Sequence, residues 1–185
     1  MNITYGIIKK VISMDIFIPD VYQKSIYDIN YKKLKNSGIK CLLFDLDNTL
    51  VPYTSKEPTK QVKDLFAKIQ GDFKLIIMSN SGKNRLRPFK QILNVDVAYS
   101  SKKPLKGKYK KILEIYNFKP EQIAAIGDQL MTDVFGANRM GMTSIFVNRI
   151  GPVEPITTKF NRIWERKLIK KFNKKGFLIQ GEYYD

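Results

Sequence analysis

Leu42-Leu43-Phe44-Asp45-Leu46-Asp47-Asn48-Thr49-Leu50-Val51 runs from an apolar stretch into two acids one residue apart. Cys41 to Phe44 is unbroken and apolar, the pattern of a strand buried on both faces of a parallel sheet. Side chains two apart in an extended segment share a face, so Asp45 and Asp47 can approach one phosphate and one cation together. One carboxylate then attacks phosphorus while the other, near the leaving oxygen, donates a proton and later takes one from water. An Asp-x-Asp by itself more often marks a turn or a solvated strand end. The flanking sequence has to decide.

Outward from this stretch, short apolar runs alternate with segments of helical period, the signature of βαβ units. Strands are expected at about 40–44, 73–78, 95–99, 123–126 and 143–147, and helices near 59–70, 84–93, 108–116 and 132–140. This predicts an α/β fold, a doubly wound (Rossmann-like) parallel sheet with helices on both faces. Ligands of such sheets bind beyond the carboxyl ends of the strands. The residues found there are Asp45 and Asp47, then Ser79 and Asn80, then Lys102 and Lys103, then Gly127-Asp128 with Asp133. Every one of these strand ends carries polar or charged chemistry.

The 185 residues fit one domain, with a core at about 40–150, an N-terminal extension over 1–38 and a basic segment from about 158 to 185. No apolar run approaches the roughly 20 residues needed to cross a bilayer. Met1 to Lys10 lacks the long apolar stretch and cleavage site of a signal peptide, so a cytoplasmic location is expected. The absence of histidine closes Ser-His-Asp triads, phosphohistidine chemistry and the usual His-containing zinc sites. The single cysteine, Cys41, lies in an apolar run without the anion-cradling loop and arginine of a cysteine phosphatase. Carboxylate, Ser, Thr and Lys remain as common nucleophiles. With 33 Lys and Arg against 17 Asp and Glu, the net charge of +16 favours anionic membranes or nucleic acid as partners.

The string around Asp45 resembles the first motif of the haloacid dehalogenase (HAD) superfamily, subclass III. That resemblance implies that Asp45 is a nucleophile forming an aspartyl-phosphate and Asp47 the general acid and base. The Asp47 carbonyl would help hold Mg²⁺. Leu75-Ile76-Ile77-Met78-Ser79-Asn80 is similar to the second motif, with Ser79, Asn80 and Thr49 as phosphate-binding or loop-steadying residues. Lys103-Pro104 is similar to the third, a lysine that neutralises the transferring phosphoryl group; Lys102, Lys106 and Lys108 are its rivals. Gly127-Asp128-Gln129-Leu130-Met131-Thr132-Asp133 resembles the fourth. Mg²⁺ takes one or two carboxylates plus waters and phosphate, so Asp45 with Asp128 is a sufficient set and Asp133 falls in the outer shell. Four clustered acids without a cation would repel one another strongly.

Only one helix fits between Pro52 and Lys74, and one helix and one strand between Ser81 and Lys102, so no large cap domain is expected over the site. Pro19-Asp20, Ser25-Ile26-Tyr27-Asp28-Ile29, Gly38-Ile39-Lys40 and Gly136-Ala137-Asn138 extend the resemblance to YqeG-type phosphatases and the related mitochondrial phosphatidylglycerophosphate phosphatases. This implies hydrolysis of a phosphomonoester, with phosphatidylglycerophosphate favoured, and a place in phospholipid metabolism. In the C-terminal segment Phe160, Ile163, Trp164, Leu168 and Phe172 recur at helical spacing among lysines and arginines. Such a helix could lie on an anionic membrane, each basic residue contributing about 1 kcal/mol, or pack its stripe on the sheet. Two other readings stay open: a phosphatase for a soluble, nucleic-acid or protein phosphomonoester, and a binding module for RNA, a ribosomal particle or membrane.

Overall fold

A computed structural model describes residues 14–153 and 156–182, with side chains 156–161 left undescribed. The reading of Met1 to Lys10 and the Phe160 side chain therefore lie outside the described residues. The main elements are β1 (Val21–Gln23), α1 (Tyr31–Asn36), β2 (Cys41–Phe44), α2 (Lys60–Ile69), β3 (Lys74–Met78), α3 (Lys83–Leu93), β4 (Asp96–Ala98) and α4 (Gly107–Tyr116). There follow β5 (Ile123–Gly127), a π-helical turn (Leu130–Val134) leading into α5 (Phe135–Met140), β6 (Thr143–Val147) and α6 (Ile156–Lys174).

The strands form one parallel sheet in the order β1-β6-β5-β2-β3-β4. From β2 the chain builds outward through β3 and β4, then crosses back to lay β5 and β6 on the other side. Between β2 and β5 the winding reverses, the position at which doubly wound sheets form their ligand crevice. Phe44 and Ile126 are registered partners across that boundary. Asp45 and Asp128, reached one and two residues later, thus stand side by side.

Alternation along each strand fills both faces, as period-2 geometry requires. Leu42, Phe44, Ile77 and Ile126 pack with Val62 and Phe66 of α2 and Leu86 and Phe89 of α3. Cys41, Leu43, Ile76 and Ala125 pack with Tyr109 and Ile112 of α4 and Ala137 of α5. Each large apolar side chain so buried contributes about 1.5 to 3 kcal/mol. Thr59 fixes the start of α2 by accepting the Val62 N–H at 3.2 Å. Between β2 and β3 lies only α2, and between β3 and β4 only α3, so no large cap is inserted.

The sheet extends beyond residues 40–150, because β1 pairs with β6, Val21 opposite Ile145. Three residues with one partner strand carry too little alternation to be read from sequence. The other edge of β1 meets the C-terminal segment: Tyr22 N–H donates to the Glu182 carbonyl at 3.1 Å, and Gly181 N–H to that of Tyr22 at 2.7 Å.

The C-terminal helix α6 forms as expected, but its predicted apolar stripe divides. Phe172 is buried with Leu130, Val134, Phe146 and Leu178, and Leu168 packs against them, whereas Ile163 and Trp164 are exposed. The inward face instead carries Arg162 and Glu165, both buried. A buried ion pair takes the positions that a purely apolar seam would have filled. Among the described residues no helix is long and apolar enough to cross a membrane.

Candidate active site

Asp45 leaves β2 with its backbone N–H on the Ile126 carbonyl at 2.8 Å, so sheet pairing continues one residue past the strand and fixes the carboxylate at the crevice floor. The Lys103 ammonium lies 2.6 Å from Asp45 Oδ1 and 2.6 Å from Asp133 Oδ1, all three side chains being buried. Its rivals Lys102 and Lys106 are exposed, and Lys108 lies over the Tyr99 ring. Asp133 is fixed from its other oxygen, which accepts the Gln129 N–H at 3.2 Å. The fit is close: a Cβ on Gly127 would sit 2.2 Å from Asp133 Cγ, so only glycine lets the end of β5 approach this acid.

Asp128 follows β5, and the Thr49 hydroxyl lies 3.2 Å from its Oδ1 and 3.5 Å from Asp45 Oδ2. Thr49 thus joins the two acids and steadies the loop. Asn48, at φ +65°, turns the chain between them; asparagine tolerates this left-handed conformation better than most residues. Its amide donates to the Val153 carbonyl at 2.9 Å and accepts the Tyr53 N–H at 3.2 Å.

Asp47 has partners of its own, distinct from the Lys103 and Thr49 contacts of Asp45. Its carboxylate accepts Arg85 Nη2 at 2.8 Å and Nε at 3.0 Å on one oxygen, and the Ser81 hydroxyl at 2.6 Å on the other. Arg85 also donates to the Ser55 carbonyl. The paired part of β2 ends at Phe44, and Asp47 forms an isolated bridge to Val51. Ser79 is buried, and its hydroxyl oxygen accepts the Ser81 N–H at 3.2 Å. Asn80 brackets the lysine segment: its Oδ1 accepts Lys103 N–H and the Ser101 hydroxyl, both at 2.7 Å, and its Nδ2 donates to the Lys103 carbonyl at 3.2 Å. The Asn80 side chain therefore holds the Lys103 backbone on both sides.

Three residues escaped the sequence reading. Arg85 holds Asp47, and Arg162 of α6 donates to the Asp128 carboxylate and, at 2.9 Å, to the Asp128 carbonyl. Glu165 accepts from Arg162 and from the Leu130 N–H. Arg162 and Glu165 are three apart on a basic helix, a spacing that ordinarily reads as a solvated surface pair.

Burial pushes the Asp45 carboxyl up to about 8; Lys103 opposes this, while Asp133 and Asp128 add to it. Burial also pushes Asp128 up to about 6 against the pull of Arg162. Lys103 goes the other way from what its burial alone would cause: Asp133 and Asp45 outweigh it and hold the ammonium above the ordinary lysine value.

Asp45, Asp128 and Asp133 present oxygens within 4.8 Å of one another. Ligands of one octahedral Mg²⁺ lie roughly 3 to 4 Å apart, so a small contraction would accommodate the ion. The charges agree: four buried acids (Asp45, Asp128, Asp133, Glu165) face two buried bases (Lys103, Arg162), and four minus two leaves a formal deficit of two. An all-oxygen, doubly negative donor set suits a hard divalent cation. Both Asp133 oxygens are engaged, by Lys103 and by the Gln129 N–H, whereas Asp45 Oδ2 and Asp128 Oδ1 face the Thr49 hydroxyl at 3.5 and 3.2 Å, which makes Asp45 and Asp128 the candidate ligands.

Comparison with known proteins shows the family and the fold. A family model described as mitochondrial PGP phosphatase matches residues 2–151. The chain is 32% identical over 163 residues to the probable phosphatase YqeG of Bacillus subtilis, covering 88% of this chain and 95% of the relative. Its fold is similar to that of the putative HAD-hydrolase YfnB of B. subtilis, solved bound to magnesium (TM-score 0.51, 16% identity, 63% of this chain and 90% of the other). A predicted HAD-like family hydrolase of Porphyromonas gingivalis gives TM-score 0.52 at 15% identity, covering 68% of this chain and 98% of the other. With the family model spanning most of its length, the chain belongs to the mitochondrial PGP phosphatase family, phosphatases whose fold here is similar to that of the HAD-type hydrolases.

Proposed function

We propose that this phosphatase is Mg²⁺-dependent, works through an aspartyl-phosphate on Asp45, and acts on phosphatidylglycerophosphate at an anionic membrane surface. The observation that carries the chemistry is Asp45 at the end of β2, with Lys103 at 2.6 Å and Asp128 beside it at the sheet's point of reversal. An Asp45 oxygen attacks phosphorus in line with the ester oxygen, and the bond to that oxygen breaks. Asp47 protonates the departing alkoxide, and Ser79 steadies a phosphoryl oxygen. Lys103, held by Asn80, offsets the charge of the phosphoryl group. Asp47 then takes a proton from water, whose oxygen attacks phosphorus and breaks the acyl-phosphate bond, restoring Asp45. Mg²⁺ held by Asp45 and Asp128, with Asp133 behind and the Asp47 carbonyl as a further ligand, would supply positive charge that keeps these acids ionised.

What supports a lipid-borne substrate is the setting. A cavity of about 440 Å³ beside Asp128 is lined by Arg149 and Arg162 together with Phe146, Ile169 and Leu178, a mixture suited to an anionic, partly apolar leaving group. On the outer face of α6, Ile163 and Trp164 are 50% and 63% exposed, near Lys167, Lys170 and Lys171. Exposed aromatic and aliphatic groups among lysines suit an anionic interface. The large net positive charge acts in the same direction.

The test is Mg²⁺-dependent phosphate release from phosphatidylglycerophosphate in vesicles, run beside soluble, nucleic-acid and phosphopeptide monoesters. Asp45→Asn is expected to lower turnover by about 10³-fold or more while the far-UV spectrum stays unchanged. Equal turnover by that variant would overturn the mechanism; preference for a soluble monoester would overturn the substrate.

A further inference from the structure

Among the described residues, the inward face of α6 meets the site through Arg162 and Glu165. Arg162 meets Asp128 twice, at the carboxylate Oδ2 and at the backbone carbonyl, the latter at 2.9 Å. Glu165, one turn on, grips Arg162 with one oxygen and the Leu130 N–H with the other. One helical turn therefore holds both ends of Asp128-Gln129-Leu130. The Asp128 side chain is fully enclosed and that of Arg162 nearly so. Because Arg162 takes Oδ2, Asp128 presents Oδ1 on the side of Thr49 and Asp45. A cation shared by Asp45 and Asp128 needs one oxygen from each, aimed inward.

We propose that Arg162, braced by Glu165, is a positioning residue that aims Asp128 at the cation, so that the cation affinity of the phosphatase site depends on the C-terminal helix. This rests on the reading that Asp45 and Asp128 hold the cation, and not on the identity of the substrate. The guanidinium suits the task because its two terminal nitrogens, fixed in one planar fork, reach the carbonyl and the carboxylate of one residue in a set geometry, where an ammonium is a compact point charge on a flexible stem. Partners of this kind, hydrogen-bonded to a ligand rather than to the metal, typically change metal affinity 10- to 100-fold when removed.

The test is calorimetric titration of the chelator-treated full chain with Mg²⁺ in the absence of substrate. Asp128→Asn is expected to abolish the binding signal. Arg162→Gln should raise Kd about 10- to 100-fold, and Glu165→Gln should raise it less. Arg162→Lys keeps the charge without the fork, so it should recover thermal stability without recovering full affinity, which a merely structural role would not produce. Arg166→Gln, which removes one charge from the same helix, should leave Kd unchanged. A Kd for folded Arg162→Gln within about twofold of wild type overturns the proposal, and so does tighter binding, which would make Arg162 a competitor of the cation. If Arg162→Gln does not fold, the Arg162→Lys and Glu165→Gln titrations decide by the same criterion. Undiminished binding by Asp128→Asn would instead overturn the cation site itself.

Discussion

Two aspartates of this site are each gripped by an arginine from a distant helix, and the two grips differ in burial. Asp47 and Arg85 have side chains 12% and 20% exposed, whereas Asp128 and Arg162 are 0% and 11% exposed. An ion pair open to water exchanges partners at little cost, while one sealed in the interior cannot lose a partner without leaving a bare charge. The first suits an acid that gives and takes protons, the second a ligand that has to stay where it is. On the proposed mechanism the same kind of pair would serve a proton-transferring acid in one place and a fixed ligand in the other, with solvent access as the difference.

Substituting the acids themselves probes this contrast most severely. Asp47→Asn is expected to lower turnover about 10²- to 10⁴-fold, the usual share of general acid and base catalysis, with Mg²⁺ affinity nearly unchanged. Asp128→Asn should abolish Mg²⁺ binding. Equal losses of affinity in calorimetry would erase the distinction between the two acids.

The arginines come next, measured by urea unfolding without cation. Arg162→Ala strands Asp128 and Glu165 in the interior and should cost about 3 to 5 kcal/mol. Arg85→Ala leaves Asp47 near water with the Ser81 hydroxyl and should cost about 1 kcal/mol. Similar values for the two would show that burial does not separate them.

The smallest effect sharpens the fixed side through pH. Asp45 and Asp128 have folded-state values raised to about 8 and about 6. Below about pH 4 these carboxyls are protonated in folded and unfolded chains alike and contribute no pH dependence. Between about pH 4 and 8 the folded chain holds more protons, so cation-free stability should fall as pH rises, and level off above. Saturating Mg²⁺, by favouring the ionised form, should flatten that slope. A melting series with chelator that rises with pH over this window would contradict the raised values.

Much of this was legible in the sequence because the information is local. The runs read as β2, β3, β5 and β6 are central or nearly so, buried on both faces, and their apolar character survives without tertiary context. β6 fell where expected, at Thr143–Val147. Strand-end placement brought Asp45, Lys103, Asp128 and Asp133 together in advance, since parallel topology converts sequence order into convergence. The rest depends on long-range contact. Asp128 and Arg162 are 34 residues apart, and Asp47 and Arg85 are 38 apart. Neither arginine is marked in sequence as different from exposed basic residues such as Arg87 and Arg149. The three-residue β1 and the six-residue α1 are likewise too short for periodicity to reveal.

The outer and inner faces of α6 are separated by one peptide unit: exposed Ile163 and Trp164 sit between buried Arg162 and Glu165. Any surface that takes hold of the outer pair restrains the same turn that grips Asp128. Free energies of binding at two places on one rigid turn are shared reciprocally. By whatever factor docking through Trp164 tightens the hold on a cation, the cation tightens the docking, which would let a peripheral enzyme lose its metal and its foothold together.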